Sequence, residues 1–557
     1  MSALNEMQFL LRDVFQLENS WQGSELFADY TAELGDAILS EAEKFAREAL
    51  APINRSGDEE GCRLEADGVH TPSGFVEAWA AFSEGGWPSM AGDPVWGGQG
   101  MPKALSVMAD ELFYSANSSF MLYSTLSVGA ALCIDAHASE SLKKTYLPAL
   151  YEGRWAGVMD LTEPHAGSDL GLLRTKAQDL GNGEYAIEGN KMFITGGDQD
   201  MTENVIHLVL ARLEGAPAGY RGISLFLVPK FHVNDDGSLG EQNAVIVGSI
   251  EHKMGINASA TCVVNFDGAK GYLVGEANRG LQAMFTMMNY ERLSIGVQGL
   301  ASGVASYDSA MTYAAERKQG SVAGELTAIN RHADVKRMLL TMRVMADAGR
   351  ALAVYAAHCL DCSKSENSAA MAQRAALLTP VVKAFLTDQG FESCVIGQQV
   401  FGGHGYVREW GQEQWVRDAR IAQIYEGTNG IQAQDLVKRK VCVDGGSALK
   451  AMLDDFSSLT PDSTFVSASQ QFLTLSEEMV AVLTEHPQRE GAISVDYLHA
   501  LGYLSYHHFL LRMVAAATGD DVAVRQQRMQ FFEMRIMPRF NALLSSIKAG
   551  LSVDLVL

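Results

Sequence analysis

Three stretches of the chain hold residue types that can do chemistry at close spacing. Ile424-Tyr425-Glu426-Gly427-Thr428 sets one carboxylate between an aromatic ring and a glycine, with no basic side chain until Lys438. Desolvated, such a carboxylate has a raised pKa and can act as a general base near neutrality. It lies in a longer stretch from Gln398 to Gln434, where Gly402, Gly403 and Gly405 allow a ligand close to the backbone. Arg417, Asp418 and Arg420 in the same stretch are candidates for a structural ion-pair set. The second stretch, Leu161 to Asp169 (LTEPHAGSD), combines small residues, a proline and several hydrogen-bonding side chains. It reads as a rigid turn or as a backbone-rich surface for a flat polar ring. The third, Gly189 to Gly197 (GNKMFITGG), ends a strand in Phe193 and Thr195. Period-two alternation puts both on one face, an aromatic plane beside a hydroxyl.

These stretches need elements to present them. Before Trp155 the pattern is mostly helical: FADYTAELGDAILSEAEKFAREAL spaces its apolar residues by three and four, and SEGGWPSMAGDPVWGGQGMP interrupts with loops. After Trp155, His207–Leu213, Ile223–Val228, Ala244–Ile250 and Thr261–Phe266 are short runs rich in Val, Leu, Ile and Phe, separated by turn residues. They predict a small β domain. Helical periodicity returns at Leu281, where Met338, Met342, Met345, Leu352 and Tyr355 form a stripe best read as core filler. VDGGSALK is a plausible linker to further helices. The expected fold is α+β and mostly α. It comprises an N-terminal extension (1–33), a helical domain (34–155), a β domain (156–275), a four-helix bundle (276–442) and an extra helical domain (443–557).

Composition narrows the function. The 557 residues carry 67 acidic and 43 basic side chains, a net charge of −24. That surface repels phosphate backbones, so nucleic acid is not an expected partner. Seven scattered cysteines are no disulfide framework, and the one CxxC, Cys359 and Cys362, has no second pair at metal-site spacing. No metal is expected, and a reducing cytoplasm fits. The N-terminus reads as neither signal nor transit peptide. The longest uncharged run, Leu112 to Ile134, holds too many serines to span a bilayer and reads as a core helix or the wall of an apolar pocket. Neither GxGxxG after a strand, a Walker loop, HExxH nor GxSxG occurs. His507 and His508 read as packing or surface residues.

Together and in this order, the stretches resemble the acyl-CoA dehydrogenase family over about residues 34–440. TEPHAGSD is similar to its flavin loop, KMFIT to its second flavin strand, and FGGHGY and IYEGTNGIQ to its C-terminal signatures. The added ends resemble a larger bacterial subgroup that includes long-chain acyl-CoA and 3-methylthiopropanoyl-CoA dehydrogenases. The resemblance implies noncovalent FAD, an acyl-CoA substrate, a trans-2-enoyl-CoA product, a homodimer or homotetramer, and an electron-transferring flavoprotein as acceptor. It makes Glu426 the base for the α-proton and, through its backbone N–H, an oxyanion donor. Glu291 in NYERLSIG occupies the position that the isovaleryl-type branch uses and is the alternative base. Leu161, Thr162, Gly167, Ser168, Phe193 and Thr195 would face the flavin ring. Arg317, Gln319, Gln399 and Gly403 would hold its pyrophosphate and adenosine across a dimer interface, and Thr428 is a further flavin contact. Ser168, Asn289, Arg292 and Gly427 match substrate-side positions. The sequence departs from the family at Phe193 (commonly Trp), Gly196 (often Asn), Asn257 (often Arg) and Gly430 (commonly longer and polar). An acyl-CoA oxidase using O₂ and a noncatalytic, flavin-free homologue are the competing readings.

Overall fold

The computed structural model describes residues 3–22, 24–322 and 324–555; the outermost residues of the two expected extensions fall outside that range. The chain divides into two compact units. One is Phe45–Met101 with Ala116–Glu291; the other is Met1–Lys44 with Pro102–Ser115 and Arg292–Leu557. The fold is mostly α with one substantial sheet.

The first unit is built on seven strands: β1 (Trp155–Asp160), β2 (Lys176–Gly181), β3 (Glu184–Thr195), β4 (Asn204–Leu213), β5 (Ser224–Pro229), β6 (Val245–Ile250) and β7 (Thr261–Val274). Their order is β6-β7-β3-β2-β4-β1, and β5 pairs with both β7 and β4, so the sheet closes on itself. Every residue of β5 is buried, which is why its sequence is a continuous apolar run. All four expected runs are strands, though β4 starts earlier and β7 runs on to Val274. β2 matches no expected run, because its KAQDLG is polar and mostly exposed.

Helix α1 (Ser118–His137) packs on β1. It is long and apolar enough to cross a membrane by composition, yet it is largely buried within the fold. Its Ser127 is satisfied inside the fold: Oγ donates to the Tyr123 carbonyl at 2.8 Å and accepts from Gly157 N–H at 3.1 Å. The expected single helix over Leu112–Ile134 is in fact two. Lys103–Ala116 ends at Asn117, whose extended backbone and side-chain bond to Phe120 N–H (3.0 Å) start α1.

The second unit is helical. Its long helices are α2 (Gly280–Glu316, which starts in the first unit), α3 (Ala333–Ser365) and α4 (Ala369–Phe401). A short helix, Asn429–Gln434, continues into the π-helical turn Asp435–Val441. The methionine stripe of α3 is buried. Cys359 and Cys362 are buried free thiols, both pushed up to about 12 by burial.

After residue 442 the described residues form five more α-helices, with α5 (Glu490–Ala516) at their centre. It packs on α3, α4 and the Asn429–Gln434 helix. The rings of Tyr503 and Tyr506 stand edge-on to Phe385 at 4.9 and 4.8 Å. A Cβ at Gly502 would meet the Phe385 ring at 2.5 Å, so this close approach requires glycine. His507 and His508 are both buried; His508 stacks on Phe456 at 3.9 Å and bonds Thr460 Oγ1 at 2.9 Å, a packing role.

Candidate active site

The carboxylate singled out in the sequence sits on a short loop between the turn Ile421–Gln423 and the helix Asn429–Gln434. Glu426 has φ 58° and Gly427 φ 76°, so two successive residues lie in the left-handed region. A non-glycine residue there costs about 1 kcal/mol or more, so neighbouring bonds must hold it. Gln432 Nε2 donates to the Glu426 carbonyl at 3.0 Å, and the Thr428 hydroxyl caps the following helix by accepting from Ile431 N–H at 3.3 Å. The Tyr425 hydroxyl donates to Gln298 Oε1 on α2.

A buried lysine also braces the loop. Lys383, fully buried on α4, donates from Nζ to the Gly427 carbonyl and to Asn429 Oδ1, each at 2.9 Å. Asn429 Nδ2 in turn donates to Asp388 Oδ1 at 2.8 Å. The only signal in the sequence was a single lysine inside the apolar run LLTPVVKAFL, where a charge needs a partner. Burial pushes Lys383 down to about 7, opposed by Glu426 and Asp388 and reinforced by Arg292.

Burial pushes Glu426 up to about 7 against the pull of Arg292 and then Lys383. The residue keeps a half-buried surface, so its carboxyl sits in a recess rather than in bulk solvent. Arg292 is buried beside Asp435, with 3.8 Å between Nη1 and Oδ2, and burial lowers its own pKa. The alternative base, Glu291, belongs to the first unit and is buried on α2; a Cβ on Gly129 of α1 would meet its Oε1 at 2.7 Å. Asn289, on the same helix, is exposed.

The residues expected to face a flavin ring all lie in the first unit. Opposite Val263 the register of β3 on β7 shifts, and Phe193 there has φ 60°. Strict alternation thus fails at this bulge. Phe193 is 56% exposed, Ile194 is buried and Thr195 is half-buried. The neighbouring loop is tied to β3, since Met192 N–H donates to the Thr162 carbonyl at 2.9 Å. Beneath it, burial raises Glu163, but Lys191 Nζ at 2.9 Å, Thr175 and Arg174 N–H bring it down to about 2. Leu161 and Thr162 are half-buried, while Gly167 and Ser168 are exposed. An open aromatic face flanked by hydroxyls and backbone polar groups fits an isoalloxazine ring. Gly196, where Asn is frequent, has φ 66°, a conformation both residues tolerate.

The residues expected at the pyrophosphate and adenosine lie in the second unit. Arg317 and Gln319 follow the end of α2, and Gln399 and Gly403 lie at the end of α4; all four are exposed. Tyr313 joins these ends, stacking on Phe401 at 4.1 Å and bonding His404 Nδ1 at 2.9 Å. Gly402 and Gly403 face open space, as close ligand approach requires. Gly405 does not: a Cβ there would strike the Gln398 carbonyl at 2.2 Å, so its role is internal packing. Of the candidate ion-pair set, Arg417 pairs with Glu413, and Asp418 accepts from Gln414 at 3.2 Å.

Known proteins match this chain along most of its length. The acyl-CoA dehydrogenase N-terminal, middle and C-terminal domains match residues 33–154, 158–269 and 278–441, and a domain described as acetyl-CoA dehydrogenase C-terminal like matches 463–553. A 3-methylmercaptopropionyl-CoA dehydrogenase of Ruegeria pomeroyi is 40% identical over 520 residues, covering 89% of this chain and 88% of the relative. The broad-specificity linear acyl-CoA dehydrogenase FadE5 of Mycobacterium tuberculosis is 32% identical over 573 residues, covering 96% and 93%. In fold, an acyl-CoA dehydrogenase complexed with FAD from Bacillus anthracis matches with TM-score 0.75 at 21% identity, over 94% of this chain and 88% of that one. The chain belongs to the acyl-CoA dehydrogenase family.

Proposed function

We propose that this chain oxidises an acyl-CoA thioester to its trans-2-enoyl-CoA, with Glu426 as the base. FAD, when bound, supplies the acceptor for the β-hydrogen as hydride, and an electron-transferring flavoprotein takes the electrons onward. The observation that carries the reading is the recessed Glu426 carboxyl, whose pKa is pushed up to about 7 by burial. A base matched to neutral pH is what abstraction of a weakly acidic α-proton needs. The Glu426 N–H, on the left-handed turn at Glu426 and Gly427, would stabilise the enolate-like charge that develops on the thioester carbonyl as the proton leaves. Leu161, Thr162, Gly167, Ser168, Phe193 and Thr195 orient the ring; Arg317, Gln319, Gln399, Gly403 and Thr428 hold the remainder of the cofactor. Ser168, Asn289, Arg292 and Gly427 contact the substrate.

Relatives named for 3-methylmercaptopropionyl-CoA and for linear acyl-CoA make short linear and thioether acyl groups the first substrates to test. Anaerobic titration of the yellow protein with butyryl-, octanoyl- and 3-methylthiopropanoyl-CoA should bleach the flavin and yield the 2-enoyl thioester. A protein that stays colourless with added FAD would contradict this reading. Rapid peroxide release in air would contradict the assigned acceptor.

A further inference from the structure

We propose that the C-terminal helical segment is a working part of the catalytic apparatus, with His499 of α5 a positioning residue for the Glu426 loop, acting through Asp388. The proposal rests on the reading of Glu426 as base. Asp388 on α4 is a junction. Its Oδ1 accepts from Gln423 Nε2 at 2.6 Å and from Asn429 Nδ2 at 2.8 Å. Those two residues stand immediately before and after the segment 424–428, so one carboxylate clamps both ends of the loop that carries the base. Its Oδ2 lies 2.8 Å from His499 Nε2. A carboxylate only accepts, so Nε2 carries the proton. The His499 ring is held edge-on to Phe385 at 5.4 Å.

The clamp has work to do because the loop is strained. Glu426 and Gly427 both have positive φ, and such geometry persists only where surrounding bonds over-determine it. Asn429 extends the clamp to Lys383 through Oδ1, and Lys383 bonds the Gly427 carbonyl. Without His499, Oδ2 of Asp388 loses its donor. The carboxylate is then free to rotate and to release Gln423 or Asn429.

The test uses the full-length, FAD-loaded protein and anaerobic stopped-flow flavin bleaching with butyryl-CoA or 3-methylthiopropanoyl-CoA. His499→Leu removes the donor; in His499→Gln the side-chain amide replaces Nε2. The expected result is a limiting rate about tenfold lower in His499→Leu, with half-saturation unchanged within about twofold, and most of the rate restored in His499→Gln. In an Asp388→Asn background, His499→Leu should cost nothing more. A full rate in His499→Leu, or a loss that His499→Gln does not restore, would overturn the proposal. If His499→Leu does not fold, His499→Gln is compared with the shorter His499→Asn: a rate kept only by Gln supports the clamp, and equal rates overturn it. Glu426→Gln is run alongside. If it bleaches at the wild-type rate, the reading of Glu426 as base has failed; if it is inactive while His499→Leu is normal, only the clamp has failed.

Discussion

A side chain that takes a proton from carbon works best when its own proton affinity lies near the working pH. Burial pushes Glu426 up to about 7, and Arg292 and Lys383 keep it from rising further. The base form therefore exists above that value, and kcat/KM should fall with one proton as pH drops through about 7. The stability sign runs the opposite way. A raised pKa in the folded state gives a stability contribution that is fully present below the ordinary carboxylate value of 4.5 and is lost as pH rises from there through about 7. Glu426→Gln should then melt higher than the parent above neutrality while losing activity. Lys383→Met should move the acid limb of the rate profile upward, because a cation facing Glu426 is gone. A limb that stays in place would remove Lys383 from the electrostatics of the site.

Among the elements, the N-terminal helix Ala3–Phe9 is fastened by buried charge. Glu6 pairs with Arg343 of α3 at 2.7 Å and with Arg525 of the helix Asp521–Arg535 at 3.0 Å. Asp347 completes the network, 2.9 Å from both Arg343 and Arg528. Removing one member leaves buried charge uncompensated, so Glu6→Gln should lose about 3 kcal/mol of stability, read as a lower denaturant midpoint. An unchanged midpoint would mean the arginines relax into solvent. Such long-range pairs also mark where the sequence stopped being legible. Glu426 could be picked out because its own neighbours, an aromatic and a glycine, predict desolvation. Lys383 lies 44 residues from the carbonyl it holds, and His499 lies 111 from Asp388, so no local pattern joins them. The apolar strands were readable from β-branched and aromatic content; β2 was not, because a polar strand at an exposed position looks like a loop. The bulge at Phe193 was hidden for a similar reason, since alternation assumes regular backbone.

At the scale of the molecule, the helices after residue 442 are not an appendage. α5 supplies Tyr503 and Tyr506 around Phe385 and places Gly502 against the same ring. Deleting 443–557 would expose apolar faces of α3 and α4, so the truncated chain should be recovered aggregated rather than as a folded, FAD-binding protein. A soluble yellow truncation would show that those faces are covered some other way. The overall charge of −24 points to the same division of labour, because an anionic CoA ester gains nothing from the general field and must be held by local donors.

The most direct test of the account is the anaerobic rate of flavin bleaching by a good acyl-CoA substrate in Glu426→Gln and Glu291→Gln, both loaded with FAD. The account predicts that Glu426→Gln still binds the substrate but bleaches slower by about three orders of magnitude or more, while Glu291→Gln stays within about tenfold of the parent. Bleaching at the parent rate in Glu426→Gln, with loss in Glu291→Gln, would contradict it.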